Sequence, residues 1–225
     1  MMFEWPKENL LLMESVYALV LFGWVISVVL FISKYFYNRV VVNNPINVAV
    51  YYTRKLIHIL AGGLVALSVP FLFSSPLLPT LLAFILALLT YLPHSKGELM
   101  EWFQTEDNIY EVHFCVMWGI SIALAWVIFD DPWYGVIPIS FMAFGDAITG
   151  IVRNLLYKRR TKSWEGNVAM AFFCIPFGYI FFGPVGAIAG LVASIIEHFE
   201  FNPIDDNITV PLTTFIILVL GYMFT

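Results

Sequence analysis

The sequence predicts an all-α protein, a polytopic bundle of membrane-spanning helices. Three observations indicate this class. Of the 225 residues, 60% are hydrophobic and only 12% are charged, whereas soluble domains average about 45–50% apolar and about 25% charged residues. The apolar residues form runs approaching the roughly 20 residues that a helix needs to cross a bilayer. The 21 Phe, 11 Tyr and 7 Trp fit the same class, because aromatic rings favour the membrane interface.

About eight spans are predicted, with seven or nine as the alternatives. They cover residues 13–33, 57–75, 77–93, 112–129, 133–151, 167–183, 185–200 and 208–225. Gly183-Pro184 separates the sixth span from the seventh, and a re-entrant pair is the other interpretation of these two segments. Because no internal repeat or low-complexity tract is visible, residues 1–225 are expected to form one integral membrane domain.

The N-terminal segment and the two cysteines give further expectations. The segment 1–14 is acidic, and no small-residue cleavage site follows the first apolar run, so no cleavable signal peptide is expected. Cys115 and Cys174 lie inside separate apolar runs. We expect them to be packed thiols rather than a disulfide or a metal site.

The basic residues predict the orientation of the bundle. Four of the 11 Lys and Arg residues lie between spans one and two, and five, including Arg153, lie between spans five and six. Short cytoplasmic loops carry such an excess, so the N-terminus is predicted outside and residues 94–111, 152–166 and 201–207 inside. Most polar residues near the spans then fall on the cytoplasmic face, where we expect a site. The short chain favours the plasma membrane of a prokaryote, with the endoplasmic reticulum as the alternative.

A carboxylate inside the fifth span is the first candidate site residue. Asp146 follows Gly145, and Gly150 comes four residues later. A charged residue within a span costs about 2.5–3.5 kcal/mol on insertion scales, which makes it a functional-site hypothesis. The glycines permit close approach of a ligand or a helix. The alternative is a structural pairing of Asp146 with an Arg on another helix.

The loop before span six contains the second group. Lys158 and Arg159 fit a simple topology signal and attraction to anionic lipids. Lys162, Ser163, Glu165 and Gly166 follow in the pattern K-S-x-E-G. Here a Lys can neutralise phosphate, a Ser hydroxyl can bond its oxygens, and a Glu can hold Mg²⁺.

Adjacent carboxylates precede the last span. Asp205, Asp206 and Asn207 supply hard oxygen ligands for a divalent cation at the mouth of a helix, as Mg²⁺ prefers. A helix cap is the other reading of the same residues.

A basic stripe opens the second span. Arg54 and His58 are four residues apart and share a helix face, with Lys55 about 100° round the axis, and Gly62 extends the stripe. Arg54 or Lys55 is expected to reach phosphate oxygens. His58 is either a hydrogen-bonding partner or base, or a satisfied interhelical histidine.

Taken in their order along the chain, the four motifs resemble those of the polyprenol kinase family, which includes dolichol and phytol kinases. The matching stretches are Arg54-Lys55-x-x-His58-x-x-x-Gly62, Gly145-Asp146-Ala147, Lys162-Ser163-x-Glu165-Gly166 and 205–211, with sequence DDNITVP. The similar region covers about residues 50–215, and the span 13–33 lies outside it. The GD and K-x-x-E-G elements are also distantly similar to phosphatidate cytidylyltransferases, whose longer C-terminal signature is absent here.

The resemblance implies transfer of the γ-phosphate of a nucleoside triphosphate, typically CTP, to an isoprenoid alcohol with Mg²⁺ as cofactor. Within that expectation Asp146, Lys162 and Glu165 are catalytic, and the metal ligands are Asp146, Asp205 and Asp206. The expected nucleotide-binding residues are Arg54, Lys55, His58, Arg160, Ser163, Gly166 and Asn207. Membrane lipids are the other expected partners, no nucleic acid is expected, and the oligomeric state is left open.

Two other functions fit parts of the pattern. A cytidylyltransferase that makes a CDP-activated lipid needs the same metal and phosphate contacts but attacks the α-phosphorus. A membrane transporter could use Asp146 as a proton or cation relay. Transporters often show inverted repeats and midplane sites, whereas here the polar residues favour one face.

Overall fold

The structure is a computed structural model that describes residues 8–159, 161–199 and 203–224. These residues contain helices and connecting loops but no β-strand, which confirms the all-α prediction. Seven of the helices are long and apolar enough to cross a membrane. They are α1 (Leu10–Val40), α2 (Ile46–Leu72), α3 (Leu77–Lys96), α4 (Tyr110–Phe129), α5 (Trp133–Tyr157), α6 (Trp164–Ile196) and α7 (Asp206–Met223).

The helix α6 is a hairpin of two antiparallel arms. Its backbone leaves helical geometry at Phe182 and at Gly183, which has a φ of +55°. Asn167 Nδ2 donates to the carbonyl oxygen of Ser194 at 2.6 Å, although 27 residues of straight helix would extend about 40 Å. The predicted break between spans six and seven is therefore present, and α6 accounts for both segments.

Small residues allow the two arms to touch. A Cβ on Gly178 would meet the backbone of Gly186, and a Cβ on Gly190 would meet the backbone of Cys174. These contacts place the arms at backbone-to-backbone distance, as small residues do in membrane bundles. Residues with a Cβ rarely adopt the positive φ of Gly183, so the turn between the arms favours glycine at this position.

The helices begin and end at residues that differ from the predicted span limits, and two of these differences affect the site. The helix α2 begins at Ile46, 11 residues before the predicted start at 57, and α5 continues to Tyr157 rather than ending at 151. Lys55 and Arg153 therefore lie inside helices and not in loops. A prediction from apolar runs ends a span at a charged residue. Lys55 and Arg153 are nevertheless buried, because each forms an ion pair with a carboxylate.

The centre of the bundle is α5. In its most apolar window 78% of the residues are buried, against 17% for α1. Buried core residues of α5 include Val136, Ile137, Ile139, Phe141, Met142 and Ala143. Asp146 therefore lies on the most enclosed helix, and α1 lies at the periphery. Cys174 is buried and Cys115 half-buried, and both are free thiols.

Polar contacts gather at one end of the bundle. We call this the polar end: it contains the loop 97–109, residues 158–163 and 197–205 that the structure describes, and the helix turns next to them. His113 contacts Asp205 there, and Lys162 contacts Asp206. At the opposite end, Ser74 donates to Glu14 through its backbone N–H at 2.8 Å. The assignment of the polar end to the cytoplasm stays a prediction.

Replacing Gly186 with Ala is expected to destabilise the protein, because the new methyl group would overlap the backbone of Gly178. Overpacking of this kind typically costs about 1–3 kcal/mol. Gly23→Ala is the matched control, since a Cβ there meets nothing within 4 Å and Ala favours a helix over Gly by about 1 kcal/mol. Thermal unfolding in detergent measures both effects. A Tm for Gly186→Ala at or above that of the unmodified protein would contradict the packing of the arms.

Candidate functional site

Three carboxylates from different elements meet at the polar end. Each of Asp146, Glu197 and Asp206 offers an oxygen that lies within 4.8 Å of the other two. Asp146 comes from α5, Glu197 directly follows the α6 hairpin, and Asp206 is the first residue of α7. We call these residues the carboxylate cluster. Oxygens at this spacing can share one divalent cation.

A lysine and a histidine from α2 face Asp146. Lys55 Nζ lies 2.5 Å from Asp146 Oδ2, and His58 Nδ1 lies 3.5 Å from the same oxygen. The other oxygen, Asp146 Oδ1, is buried and accepts no hydrogen bond from the described residues. Asp146 is therefore paired across helices, with a Lys rather than the Arg considered above, and it keeps one oxygen for a further ligand.

Close approach of α2 and α5 makes this pairing possible. The side chain of Tyr51 packs on Gly150, and the ring of Phe144 packs on Gly63. Both helices also contain a π-helical turn beside the pair, His58–Gly63 in α2 and Phe141–Gly145 in α5. Single π-helical turns inside α-helices are frequent at functional sites.

Lys162 bridges the other two carboxylates. Its Nζ lies 3.0 Å from Glu197 Oε1 and 3.2 Å from Asp206 Oδ2. It also donates to the backbone carbonyl of Glu197 at 2.9 Å. A positive charge is thus already favoured between Glu197 and Asp206.

A buried arginine fixes Glu197 in place. Arg153 donates to both carboxylate oxygens of Glu197, at 2.8 and 2.9 Å. It also donates to Asn167 Oδ1 at 2.7 Å and to the backbone carbonyl of Ser163 at 3.0 Å. Asn167 in turn donates to Glu197 Oε2 at 2.9 Å. This bidentate geometry gives the carboxylate one orientation.

Burial dominates the ionisation of Glu197. Loss of solvent raises the pKa of its carboxyl above the ordinary value; Lys162 and Arg153 lower it, and the charges of Asp206 and Asp146 raise it. An additional cation near the carboxylate cluster would favour the ionised form.

A polar cavity of about 910 Å³ opens beside the carboxylate cluster. Pockets of about 300–1,000 Å³ are typical for small-molecule ligands. Its lining comes from the first turns of α2, the loop 97–109 and the start of α7. Arg54 adds a guanidinium at the wall, stacked 4.1 Å from the ring centroid of Tyr110. The lining also contains the acids Glu101, Glu106 and Asp107, so the cavity offers charges of both signs to a polar ligand.

The structure brings most of the predicted residues together. Asp146 belongs to the carboxylate cluster, and six others line the polar cavity: Arg54, Lys55, His58, Lys162, Asp206 and Asn207. Asn207 is buried, and its Oδ1 accepts no hydrogen bond from the described residues. Each of the four sequence motifs therefore contributes to the cluster or its cavity.

The structure places two predicted acids elsewhere. Glu165 is exposed on the first turn of α6 and accepts a hydrogen bond from Tyr157 at 2.9 Å. Asp205 lies outside the carboxylate cluster, with its Oδ2 3.0 Å from His113 Nδ1. Burial and the neighbouring charge of Asp206 raise the pKa of Asp205. Glu197 takes the third position that Glu165 or Asp205 was expected to fill.

Two other predicted nucleotide-binding residues, Gly166 and Ser163, do not line the polar cavity. Gly166 packs against Arg153, whose Nε would lie 2.5 Å from a Cβ at this position, so it serves helix packing. Ser163 is the N-terminal cap residue of α6, and its carbonyl accepts from Arg153. Arg160 lies outside the described residues.

Sequence reasoning missed Glu197, Arg153 and Asn167. Arg153 was counted only as a topology signal, although it lies in the apolar stretch of α5, and the rule that singled out Asp146 applies to it equally. Glu197 directly follows the apolar residues of the second arm.

Comparison of the chain with known proteins found no matching family model, curated protein or solved structure.

Removing the Arg153 side chain is expected to destabilise the fold. Arg153→Leu leaves Glu197 and Asn167 buried without their main partner, a loss of about 3 kcal/mol for a broken buried pair. Arg39→Leu is the control, because Arg39 is exposed and bonds only Tyr35 among the described residues, an interaction worth about 0–1 kcal/mol. Denaturant unfolding in mixed micelles measures both variants. Equal losses would contradict a structural role for the Arg153 network.

The carboxylate cluster is expected to bind a divalent cation. Mn²⁺ titrated into purified protein and followed by electron paramagnetic resonance should show a bound ion. Glu197→Gln should weaken its affinity by about tenfold or more, since ligands need ionised oxygens. Glu165→Gln, a change at an exposed carboxylate outside the cluster, should leave the affinity unchanged. Equal affinity of Glu197→Gln and unmodified protein would exclude Glu197 as a ligand.

Proposed function

We propose that this chain is a membrane lipid kinase that transfers the γ-phosphate of a nucleoside triphosphate, CTP, to the hydroxyl of an isoprenoid alcohol. One observation carries the proposal. The polar cavity beside the carboxylate cluster shares Arg54 and His58 with a second, apolar cavity inside the bundle. A water-soluble donor and a hydrophobic acceptor can therefore reach the same few atoms.

The charges at this meeting point suit phosphoryl transfer. That reaction needs positioning and charge neutralisation rather than much covalent chemistry. Lys55 and Lys162 lie at the carboxylate cluster, and Arg54 lies on the cavity wall. In the proposed complex these cations contact triphosphate oxygens and balance the negative charge of the transferring group.

The residues present fit Mg²⁺. Asp146, Glu197 and Asp206 would hold it, because hard carboxylate oxygens are its preferred ligands and Asp146 Oδ1 has no other partner among the described residues. When bound, Mg²⁺ supplies positive charge to the phosphate oxygens. The Arg153 network keeps Glu197 in the orientation that this role requires.

The acceptor proton has a short route. A hydroxyl placed at His58 lies next to Asp146, since these two side chains are 3.5 Å apart. In the proposed reaction the hydroxyl oxygen bonds to the γ-phosphorus, the bond from that phosphorus to the β-phosphate oxygen breaks, and CDP leaves. The hydroxyl proton passes to the imidazole of His58, whose Nδ1 makes no hydrogen bond to the described residues. The neighbouring Asp146 carboxylate stabilises the imidazolium that forms.

The location of the enzyme forms part of the proposal. The polar end would face the cytoplasm of a prokaryotic cell, where nucleotides are present, with the rest of the bundle in the plasma membrane. The outward side chains of α1, among them Leu12, Leu19 and Phe31, are large, apolar and exposed, as lipid contact requires.

Purified protein incubated with Mg²⁺, γ-³²P-labelled CTP and a panel of isoprenoid alcohols is expected to produce labelled lipid. Asp146→Asn and Lys162→Ala should each reduce the rate by about 100-fold or more, because each removes a group that acts on the transition state. Glu165→Gln is the control and should keep the unmodified rate. Thermal unfolding of each variant checks that the fold is retained.

Other products would change the assignment. Pyrophosphate released in the presence of phosphatidate, with no label in the alcohol, would indicate a cytidylyltransferase. Absence of both products with every nucleotide would overturn the enzyme proposal and leave transport as the function to test.

A further inference from the structure

An apolar cavity of about 110 Å³ lies between α1, α2, α3 and α4. Its lining residues follow each helix at intervals of three or four positions, for example Ala18, Leu21, Val25 and Val29 on α1. Such intervals mark one continuous stripe along a helix. The cavity is therefore a slot that runs along the helix axes, and we call it the apolar slot.

The length of the apolar slot suits an extended chain. On α2 its lining reaches from Arg54 to Val69, which corresponds to about 22 Å of helix. The hydrocarbon core of a bilayer is about 30 Å thick. A small volume spread over this length gives a narrow passage, which fits an unbranched or methyl-branched chain better than a fused ring system.

Polarity changes from one end of the apolar slot to the other. Its charged and hydroxyl-bearing lining residues are Arg54, His58, Thr90 and Glu111, and all four lie toward the polar end. The opposite end is lined by Ala18, Val69, Phe73 and Pro79. The slot therefore matches an amphiphile that has one small polar group and a long apolar tail.

His58 lies where the apolar slot meets the polar cavity. Its side chain is only 6% exposed, and its Nδ1 makes no hydrogen bond to the described residues. Its ring stacks on Phe114 with centroids 4.2 Å apart, and Phe114 itself packs on Gly62. A buried imidazole in a fixed orientation is thus available to a polar group at this end of the slot.

We propose that the apolar slot is the acceptor site: it holds the chain of the isoprenoid alcohol in extended form, with the hydroxyl at His58. The inference rests on the proposed function for the identity of the alcohol. It assigns the specificity for chain shape to residues outside the carboxylate cluster. Five of the lining residues come from α1, whose predicted span lies outside the region that resembles polyprenol kinases.

Two tryptophans hold α1 against the slot. Trp24 Nε1 donates to the carbonyl of Leu60 on α2 at 2.9 Å. Trp102 Nε1 donates to the carbonyl of Val29 on α1 at 3.0 Å. These bonds fix a helix that has little buried surface of its own, and they keep the wall of the acceptor site in place.

Photolabelling tests the site without any requirement for catalysis. The unmodified protein in detergent, without nucleotide, is irradiated with a farnesol analogue that carries a diazirine on its tail, and the labelled residues are mapped by mass spectrometry. We expect label on slot residues such as Val25 and Leu86, reduced by excess farnesol and less by farnesene, which lacks the hydroxyl. Label confined to lipid-facing residues such as Phe172 and Ile180 would overturn the proposal.

A larger side chain in the apolar slot should weaken binding of the alcohol but not of CTP. Ala61 lines the slot and is half-buried, so Ala61→Leu is expected to raise the KM for the alcohol by about tenfold with an unchanged KM for CTP. Ala171→Leu is the matched control, because Ala171 is also half-buried but lines neither cavity. Equal KM values for the alcohol in both variants would contradict the inference.

The two proposals can fail separately. Slot labelling without phosphoryl transfer would overturn the kinase and retain a binding site for isoprenoid alcohols. Phosphoryl transfer with label only on the lipid-facing surface would retain the kinase and overturn the slot as its acceptor site.

Discussion

Pairing of buried charges is the constraint on which the arrangement of the bundle depends. Three carboxylates and three cations lie together in a chain that is otherwise apolar, and each unpaired charge there would cost several kcal/mol. The pairs join residues far apart in sequence: Lys55 with Asp146, Arg153 with Glu197, and Lys162 with both Glu197 and Asp206. Four helices must therefore meet at one place. The same requirement creates a site whose groups are already oriented.

The cavities follow from this arrangement. The ion pairs close the contact between α2, α5, the hairpin and α7, whereas α1 adds only an outer wall. The polar cavity forms where the loop 97–109 covers the paired residues, and the apolar slot forms where α1 covers α2. His58 belongs to both because it lies one turn beyond Lys55. A donor and an acceptor site joined at Arg54 and His58 are thus a product of helix packing.

Local patterns predicted most of the helices and two of the three residues of the carboxylate cluster, Asp146 and Asp206. Runs of apolar residues and the Gly183-Pro184 break identified the segments, and a carboxylate in an apolar span identified Asp146. The pattern could not show that Asp206 rather than Asp205 faces Asp146, because neighbouring residues point about 100° apart at a helix start. Nor could it show Glu197, whose partner Arg153 is 44 residues away. Lys55 was placed outside the span for a related reason: only its distant partner makes a lysine tolerable inside one.

The hairpin has a consequence for chemistry at a distance. Its first arm begins beside Lys162 and contains Asn167, and its second arm ends next to Glu197. Both sides of the site therefore belong to one helical hairpin, whose turn lies at the far end of the bundle. The glycine contacts along the hairpin determine which residues of the two arms lie opposite each other. A slip of one residue between the arms would shift Glu197 by about 1.5 Å and swing it by about 100°, out of reach of Arg153. The glycine contacts within the hairpin thus determine where the carboxylate of Glu197 lies.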